Sequence, residues 1–182
     1  MNTKRNTIYL MIALFAFSGC QKEEKDDTTT NTALLLALSS SGGDCVVNTS
    51  SKGAINTYVT DLTVSGASKS GTISKIGTVP VVGHQTSALK FTITASTIVT
   101  MTGNAFGILY KSDSCPLAAA SALSYNSGFT TDAADSTSEF PTSHKIVTSA
   151  RTVITVPGTY YYFFYAIPSR SQAATIGYTI TP

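Results

Sequence analysis

Apolar and polar residues alternate over several short stretches of the chain. From Leu89 to Ala95, the apolar residues Leu89, Phe91 and Ile93 fall on one side, and Lys90 and Thr92 fall on the other. Successive side chains of a strand point to opposite faces, so this pattern predicts a half-buried strand. Further candidate strands are Tyr58–Val64, Gly71–Ile76, Ile98–Thr102, Phe106–Lys111, Lys145–Thr155, Tyr160–Ile167 and Thr175–Thr181. Roughly seven or eight strands separated by Gly, Pro, Ser and Asn predict an all-β fold, an antiparallel β-sandwich.

Two stretches between these strands have a different composition. The Ala-rich segment Pro116–Leu123 is compatible with a short surface helix, and the polar segment Ser124–Ser143 predicts a long loop.

The N-terminus has the pattern of an export signal. Lys4 and Arg5 precede an apolar run from Ile8 to Phe17, and Ser18, Gly19 and Cys20 follow it. A short positive segment, about ten apolar residues and small residues are typical of a secretory signal peptide, here residues 1–19.

Phe17-Ser-Gly-Cys20 resembles a bacterial lipobox of the looser kind found in spirochaetal lipoproteins. The resemblance implies that the Cys20 thiol is acylated, with palmitate among the chains, and anchors the protein in membrane lipid. The alternative is an ordinary secretory signal that contains a cysteine.

Residues 20–44 predict a tether between this anchor and the folded domain. Gln21–Asn31 is charged and then Thr-rich, with no apolar residue to bury, so we expect it to be disordered. Ala33–Leu38 (ALLLAL) favours a short helix. This segment either docks on the domain, inserts at the bilayer interface or meets a partner, and six residues do not decide between these roles. We therefore expect the β-sandwich domain to span residues 45–182.

The charge balance argues against nucleic-acid binding. The chain has 12 basic and 10 acidic residues, and charged residues are only 12% of the total. Lys4 and Arg5 lie in the predicted signal, so its removal leaves equal numbers of basic and acidic residues and no basic cluster. A net charge near zero gives no electrostatic reason to expect a nucleic-acid partner.

Cys45 and Cys115 form an even pair once Cys20 is lipidated. Disulfides persist in exported proteins, so we predict a bridge between these two cysteines. Closing a loop of that size would stabilise the fold by roughly 4 kcal/mol in the chain-entropy model. The alternative is two buried free thiols. A metal site is less favoured, because the cysteines are far apart and His84 and His144 have no ligand spacing.

The aromatic run Tyr160–Tyr165 (YYYFFY) is the most unusual stretch of the predicted domain. In a strand, one half of these rings faces the core. The other half is either covered by a neighbouring segment or presents a stripe on which a polysaccharide or an extracellular protein could pack. The candidate binding residues are Tyr160, Tyr161, Tyr162, Phe163 and Tyr165.

Three acidic residues of the polar loop, Asp132, Asp135 and Glu139, form a weak calcium candidate. Calcium takes six to eight oxygen ligands, which carboxylates, carbonyls and hydroxyls of a loop can supply. Their spacing matches no EF-hand, and loop acids are usually solvated. We therefore expect no metal and no cofactor.

Motifs for catalysis are weak. The sequence contains no G-x-S-x-G, and Ser87 and Lys90 would lie on opposite faces of a strand rather than one helical turn apart. His84 and His144 are expected to be solvated turn residues. We therefore expect no enzymatic activity.

Three segments of the second half, Leu89–Thr102, Phe106–Tyr110 and Ile154–Ile167, together with the closing Gly177–Thr181, resemble the bacterial pre-peptidase C-terminal (PPC) domain. The resemblance covers residues 88–182. It implies a small jelly-roll module that aids binding or export and does not catalyse. Family members usually carry acidic residues before the strand that corresponds to Phe106–Tyr110. Gly103, Asn104 and Ala105 stand there in this chain, so the family's calcium site is not implied.

Three classes of function follow from these patterns. The favoured one is a lipid-anchored, non-catalytic module of the cell envelope, on the outer membrane, that binds or adheres to polysaccharide or protein. The alternative is a structural lipoprotein of an envelope assembly, and a hydrolase with an unrecognised site is less favoured.

Overall fold

The computed structural model of the protein describes residues 42–62, 67–80 and 82–182. The predicted signal peptide 1–19, Cys20, the tether and Ala33–Leu38 lie outside the described residues. The described part is all-β, as the alternating patterns predicted. Its strands are β1 Cys45–Thr49, β2 Gly53–Thr57, β3 Val59–Leu62, β4 Lys69–Thr72, β5 Gly77–Val79, β6 His84–Ile93, β7 Thr97–Thr102, β8 Ala105–Lys111, β9 Thr130–Thr131, β10 Ala134–Asp135, β11 His144–Ile146, β12 Ser149–Ile154, β13 Gly158–Ala166 and β14 Gly177–Thr181.

The strands form two large sheets and one hairpin. The larger sheet has seven strands in the order β10-β11-β8-β13-β6-β3, with β5 also paired to β6. The second sheet has five strands in the order β4-β14-β7-β12-β9, and β1 and β2 pair with each other. All these pairs are antiparallel except β3 with β6, which are parallel. Within the described residues no helix is long and apolar enough to cross a bilayer.

β13 is a central strand of the seven-stranded sheet. Tyr162 lies opposite Leu89 of β6 on one side and opposite Leu109 of β8 on the other. Because β13 has a neighbour on both sides, its backbone is paired along most of its length.

The first of two hydrophobic cores lies between the two large sheets, and we call it the sandwich core. The seven-stranded sheet contributes the alternate residues of its long strands that face inward, and the five-stranded sheet contributes residues of β7, β12 and β14. All are buried. The largest members are Leu89, Phe91, Leu109, Tyr160, Tyr162 and Phe164 from the first sheet, and Val99, Met101, Ile154 and Ile180 from the second.

The second core lies on the other face of the seven-stranded sheet, and we call it the outer cluster. It comprises outward residues of β8 and β13 together with residues of the β1–β2 hairpin, of β5 and of three connecting segments. These residues are Cys45, Val47, Ile55, Val79, Phe106, Ile108, Tyr110, Leu117, Phe140, Tyr161, Phe163, Tyr165 and Ile167. Two backbone hydrogen bonds of 2.8 Å hold the hairpin in place. The Asn48 amide donates to the Leu117 carbonyl, and the Leu117 amide donates to the Val46 carbonyl.

Several sequence predictions of individual elements need correction. Lys145–Thr155 is not one strand but two, β11 and β12, which belong to different sheets. Gly71–Ile76 is a strand only up to Thr72, and Pro116–Leu123 contains a single 3-10 turn, Ala119–Ser121, in place of a longer helix. The expected loop Ser124–Ser143 carries the two-residue strands β9 and β10. The β1–β2 hairpin and β5 were not predicted.

Candidate functional site

The aromatic strand Tyr160–Tyr165 is buried on both faces. Tyr160 and Tyr162 lie in the sandwich core with 0% exposure, and Phe163 of the outer cluster is equally buried. Tyr161 and Tyr165 are 3% and 5% exposed. The prediction of an exposed aromatic stripe on this strand is therefore wrong. The alternative, a central strand covered on both faces, is confirmed.

The predicted disulfide is present. Cys45 at the start of β1 is bonded to Cys115, with the two Cα atoms 5.4 Å apart and 70 positions between them in sequence. Cys45 is buried in the outer cluster, and Cys115 packs against the same cluster. The bridge therefore ties the hairpin to the segment that follows β8.

The three acids of the calcium candidate are engaged separately. An Asp132 carboxylate oxygen accepts a hydrogen bond from the Arg151 amide at 2.6 Å, and an Asp135 oxygen accepts one from the Thr137 amide at 3.1 Å. Glu139 pairs with cations instead. Among residues 42–62, 67–80 and 82–182, no three His, Cys, Asp or Glu side chains are arranged to hold a metal ion.

His144 is a core residue, not the solvated turn residue that the sequence suggested. It begins β11 with 0% exposure, and its Nε2 is hydrogen-bonded to the Tyr162 hydroxyl, which also lies 3.1 Å from the Thr152 hydroxyl. Gly107 makes this contact possible, because a Cβ there would lie 3.0 Å from His144 Nε2 and 2.9 Å from the Tyr162 ring.

Burial controls the protonation of this pair. It lowers the pKa of His144 to about 4 and raises the pKa of Tyr162, so both groups are neutral at pH 7. Within the described residues, His144 Nδ1 has no hydrogen-bond partner.

Charged side chains from three segments meet at one end of the outer cluster. Lys52 comes from the turn between β1 and β2, Glu139 from the segment between β10 and β11, and Arg170 from the 3-10 turn Pro168–Arg170 after β13. The Glu139 carboxylate is hydrogen-bonded to the Arg170 guanidinium, and its other oxygen lies 3.7 Å from Lys52 Nζ. The hydrogen bond from Arg170 is the main reason that the pKa of Glu139 is lowered. We call these three residues the basic cluster.

His84 and Tyr165 lie beside the basic cluster. His84 Nδ1 is 2.5 Å from the Tyr165 hydroxyl, and the two rings meet edge to face. Burial, then the charges of Lys52 and Arg170, lower the pKa of His84, whereas burial raises the pKa of Tyr165 to about 12. His84 therefore lies close enough to Lys52 and Arg170 for their positive charges to disfavour its protonated form.

A small cleft adjoins the same cluster. Thr49, Ser50 and Thr142 line it together with the rings of Tyr110 and Phe140, and it has a volume of about 30 Å³, room for one or two water-sized groups. Lys52 Nζ lies 5.1 Å from the centroid of the Phe140 ring, which joins the basic cluster to the cleft. This end of the molecule thus combines hydroxyls, aromatic rings and cations.

Among residues 42–62, 67–80 and 82–182, the side-chain hydrogen-bond partners of both histidines are tyrosines. Each is hydrogen-bonded to a tyrosine hydroxyl, His84 to Tyr165 and His144 to Tyr162. In a catalytic triad, a carboxylate orients the histidine and a nucleophile lies on its other side. Fixed cations and hydroxyls, by contrast, are groups that bind anions and sugars.

Sequence reasoning missed the basic cluster. The sequence patterns indicate Glu139 only as a calcium ligand and His84 only as a turn residue. They single out neither Lys52 nor Arg170. The three charged residues come from distant parts of the chain, so no local motif marks them.

Comparison of the chain with known proteins gave no match to a family model, to a curated protein or to a solved structure.

Proposed function

We propose that this protein is a lipid-anchored protein of the cell envelope whose β-sandwich domain binds a ligand without catalysing a reaction. The observation that carries this proposal is the use of the cysteines. The chain has 3 cysteines, and the bridge between Cys45 and Cys115 leaves Cys20 as the one that is free to react. A structural disulfide is typical of exported proteins. Export is also the condition under which the cysteine of a lipobox is acylated.

The sequence around Cys20 supports the same proposal. The signal-like residues 1–19 end in Phe17-Ser-Gly-Cys20, which resembles a lipobox. Two or three acyl chains on this cysteine would hold the protein stably in a bilayer, whereas one chain binds only marginally. The outer membrane is the location that we propose.

The binding role is supported by the geometry at one end of the domain. The basic cluster and the adjacent cleft offer cations, hydroxyls and rings, and both histidines are paired with tyrosines. The resemblance of residues 88–182 to the PPC domain, an accessory module, agrees with a role in binding.

Metabolic labelling with radioactive palmitate tests the anchor. We expect the wild-type chain to incorporate label and Cys20→Ala to incorporate none. The matched control is Cys45→Ser/Cys115→Ser, which removes the other two cysteines and should remain labelled. Label retained by Cys20→Ala would refute the lipid anchor.

Proteolysis of intact cells then tests the location. Removal of the domain by an added protease places it on the outside, and protection until the outer membrane is permeabilised places it in the periplasm. Recovery of the labelled protein in the inner-membrane fraction would contradict the proposed outer-membrane location.

A further inference from the structure

The basic cluster already binds one carboxylate. Glu139 lies between Arg170 and Lys52, and its side chain is only 20% exposed, whereas those of Arg170 and Lys52 are 57% and 37% exposed. The two cations come from segments 118 positions apart in sequence, which the fold brings to the same carboxylate. The protein's own carboxylate thus indicates which chemical group this arrangement accepts.

The cations are not saturated by Glu139. The Lys52 ammonium lies 3.7 Å from the carboxylate, beyond hydrogen-bond distance, and an ammonium has three donors. Arg170 uses Nη1 for Glu139, and a guanidinium has five N–H donors. With two positive charges against one negative charge, the cluster carries a net positive charge at pH 7, which favours an anionic ligand.

Hydroxyl groups beside the cluster suit a sugar. Ser50 and Thr142 line the cleft next to Phe140, and their hydroxyls can both donate and accept hydrogen bonds, as the hydroxyls of a sugar do. The hydroxyl of Thr49, which also lines the cleft, is already bonded to the Lys52 amide and the Gly53 carbonyl. The cleft has room for only one or two water-sized groups, such as a hydroxyl, so the sugar ring itself would lie across its mouth. An acidic peptide would also satisfy the two cations, but it carries few hydroxyls for the cleft.

From these observations, and resting on the binding role proposed above, we propose that Lys52 and Arg170 bind the carboxylate of an acidic polysaccharide, such as a polymer of uronic acids, in the place where Glu139 lies. In the free protein Glu139 occupies this place and holds the two cations in position. The ligand's carboxylate displaces it, and a hydroxyl of the same sugar enters the cleft.

The test is calorimetric titration of the full-length protein in detergent micelles with tetragalacturonate. The comparison ligand is the same tetrasaccharide with its carboxyl groups reduced to alcohols. We expect the acidic form to bind and the reduced form to bind at least tenfold more weakly. Lys52→Gln and Arg170→Gln should each weaken binding about tenfold, the effect of losing one charge-assisted contact.

Two further variants separate a local effect from misfolding. Lys90→Gln is the matched control, because Lys90 also pairs with a carboxylate, Asp61 at 2.8 Å, and also lies over a ring, that of Tyr161 at 5.9 Å. Its affinity should equal that of the wild type. Glu139→Gln removes the competing charge while keeping the shape, so we expect about fivefold tighter binding, a gain that misfolding does not produce.

Several outcomes would overturn this inference. They are no binding of tetragalacturonate by the wild type, equal binding of the reduced sugar, an equal loss in Lys90→Gln, or unchanged or weaker binding by Glu139→Gln. Equally tight binding of polyglutamate would replace the sugar by an acidic peptide and would also refute it. A protein that is labelled with palmitate yet ignores the sugar would refute this inference alone, leaving the lipid anchor intact.

Discussion

The two faces of β13 are equally buried but are covered in different ways. Tyr160, Tyr162 and Phe164 pack against a complete second sheet, in which each strand is hydrogen-bonded to its neighbours. Tyr161 and Phe163 on the other face pack against a two-stranded hairpin and connecting segments. Burial alone therefore does not tell how firmly a surface is covered.

The difference lies in what holds each cover in place. The five-stranded sheet is part of the sandwich and is fixed by its own ladder of backbone pairs. A two-stranded hairpin is marginally stable by itself, and this one is joined to the rest of the domain by the Cys45–Cys115 bridge and by the backbone bonds to Leu117. We infer that the sandwich core controls global stability and that the bridge controls the cover of the outer cluster.

A cavity in the sandwich core should have the largest effect. Phe164 has 0% exposure and stacks on Tyr162 with ring centroids 4.9 Å apart. Phe164→Ala should lower the free energy of unfolding by about 3 to 5 kcal/mol, because it removes buried area and leaves a cavity. Denaturation in urea measures the loss. Val147→Ala is the control, since Val147 is 58% exposed and its truncation should change stability by less than about 0.5 kcal/mol. A loss below about 1 kcal/mol in Phe164→Ala would contradict the central role of this core.

Removal of the disulfide should have the next largest effect. Cys45→Ser/Cys115→Ser should lower the free energy of unfolding by about 2 to 4 kcal/mol, because it frees a loop of 70 positions in the unfolded chain. Hydrogen exchange should distinguish the two faces, with faster exchange in β1 and β2 and little change in β7 and β12. Uniformly faster exchange in both sheets would show that the hairpin is not a separate cover.

Acid should weaken the sandwich through His144, and this is the smallest of the three effects. Burial lowers the pKa of His144 to about 4, below its ordinary value of 6.5. Between these two pH values, His144 is protonated in the unfolded chain but neutral in the folded one. The stabilisation is present above pH 6.5 and is lost as the pH falls towards 4, so that about 2 kcal/mol has been lost at pH 5.

The comparison of wild type with His144→Gln isolates this contribution, because the carboxylates titrate equally in both. Urea denaturation at several pH values should give a shallower dependence of stability on pH for the variant between pH 6.5 and 4. Identical slopes for the two proteins would contradict the buried, neutral state of His144.

The long strands could be predicted from the sequence because each buries one or both faces along its whole length. Leu89, Phe91 and Ile93 alternate with polar residues, and the structure places them in the sandwich core. The boundary between β11 and β12 could not be predicted. Ile146 before this boundary and Ala150 and Ile154 after it are all buried, and all three have even numbers. The alternation of buried and exposed residues therefore continues unbroken while the chain passes from one sheet to the other.

The hairpin and the candidate site were missed for different reasons. β1 and β2 have few large apolar residues, and Val47 and Ile55 are buried only because the outer face of another sheet lies beneath them. The basic cluster depends on tertiary contacts between the turn at Lys52, the loop at Glu139 and the turn at Arg170. Sequence periodicity carries information about faces of one element, and it carries none about which loops meet.

The position of the Cys45–Cys115 bridge has a mechanical consequence. Under the proposed lipid anchor, a pull on the N-terminus would reach the described residues just before the first strand, where the Asp44 amide is hydrogen-bonded to the Thr57 carbonyl and Cys45 begins β1. The covalent link passes that tension across to Cys115, and the intervening stretch cannot be drawn out under load. Lys52 lies between the two cysteines in sequence, so the polymer that we propose as its ligand would pull on a part of the domain that does not lengthen.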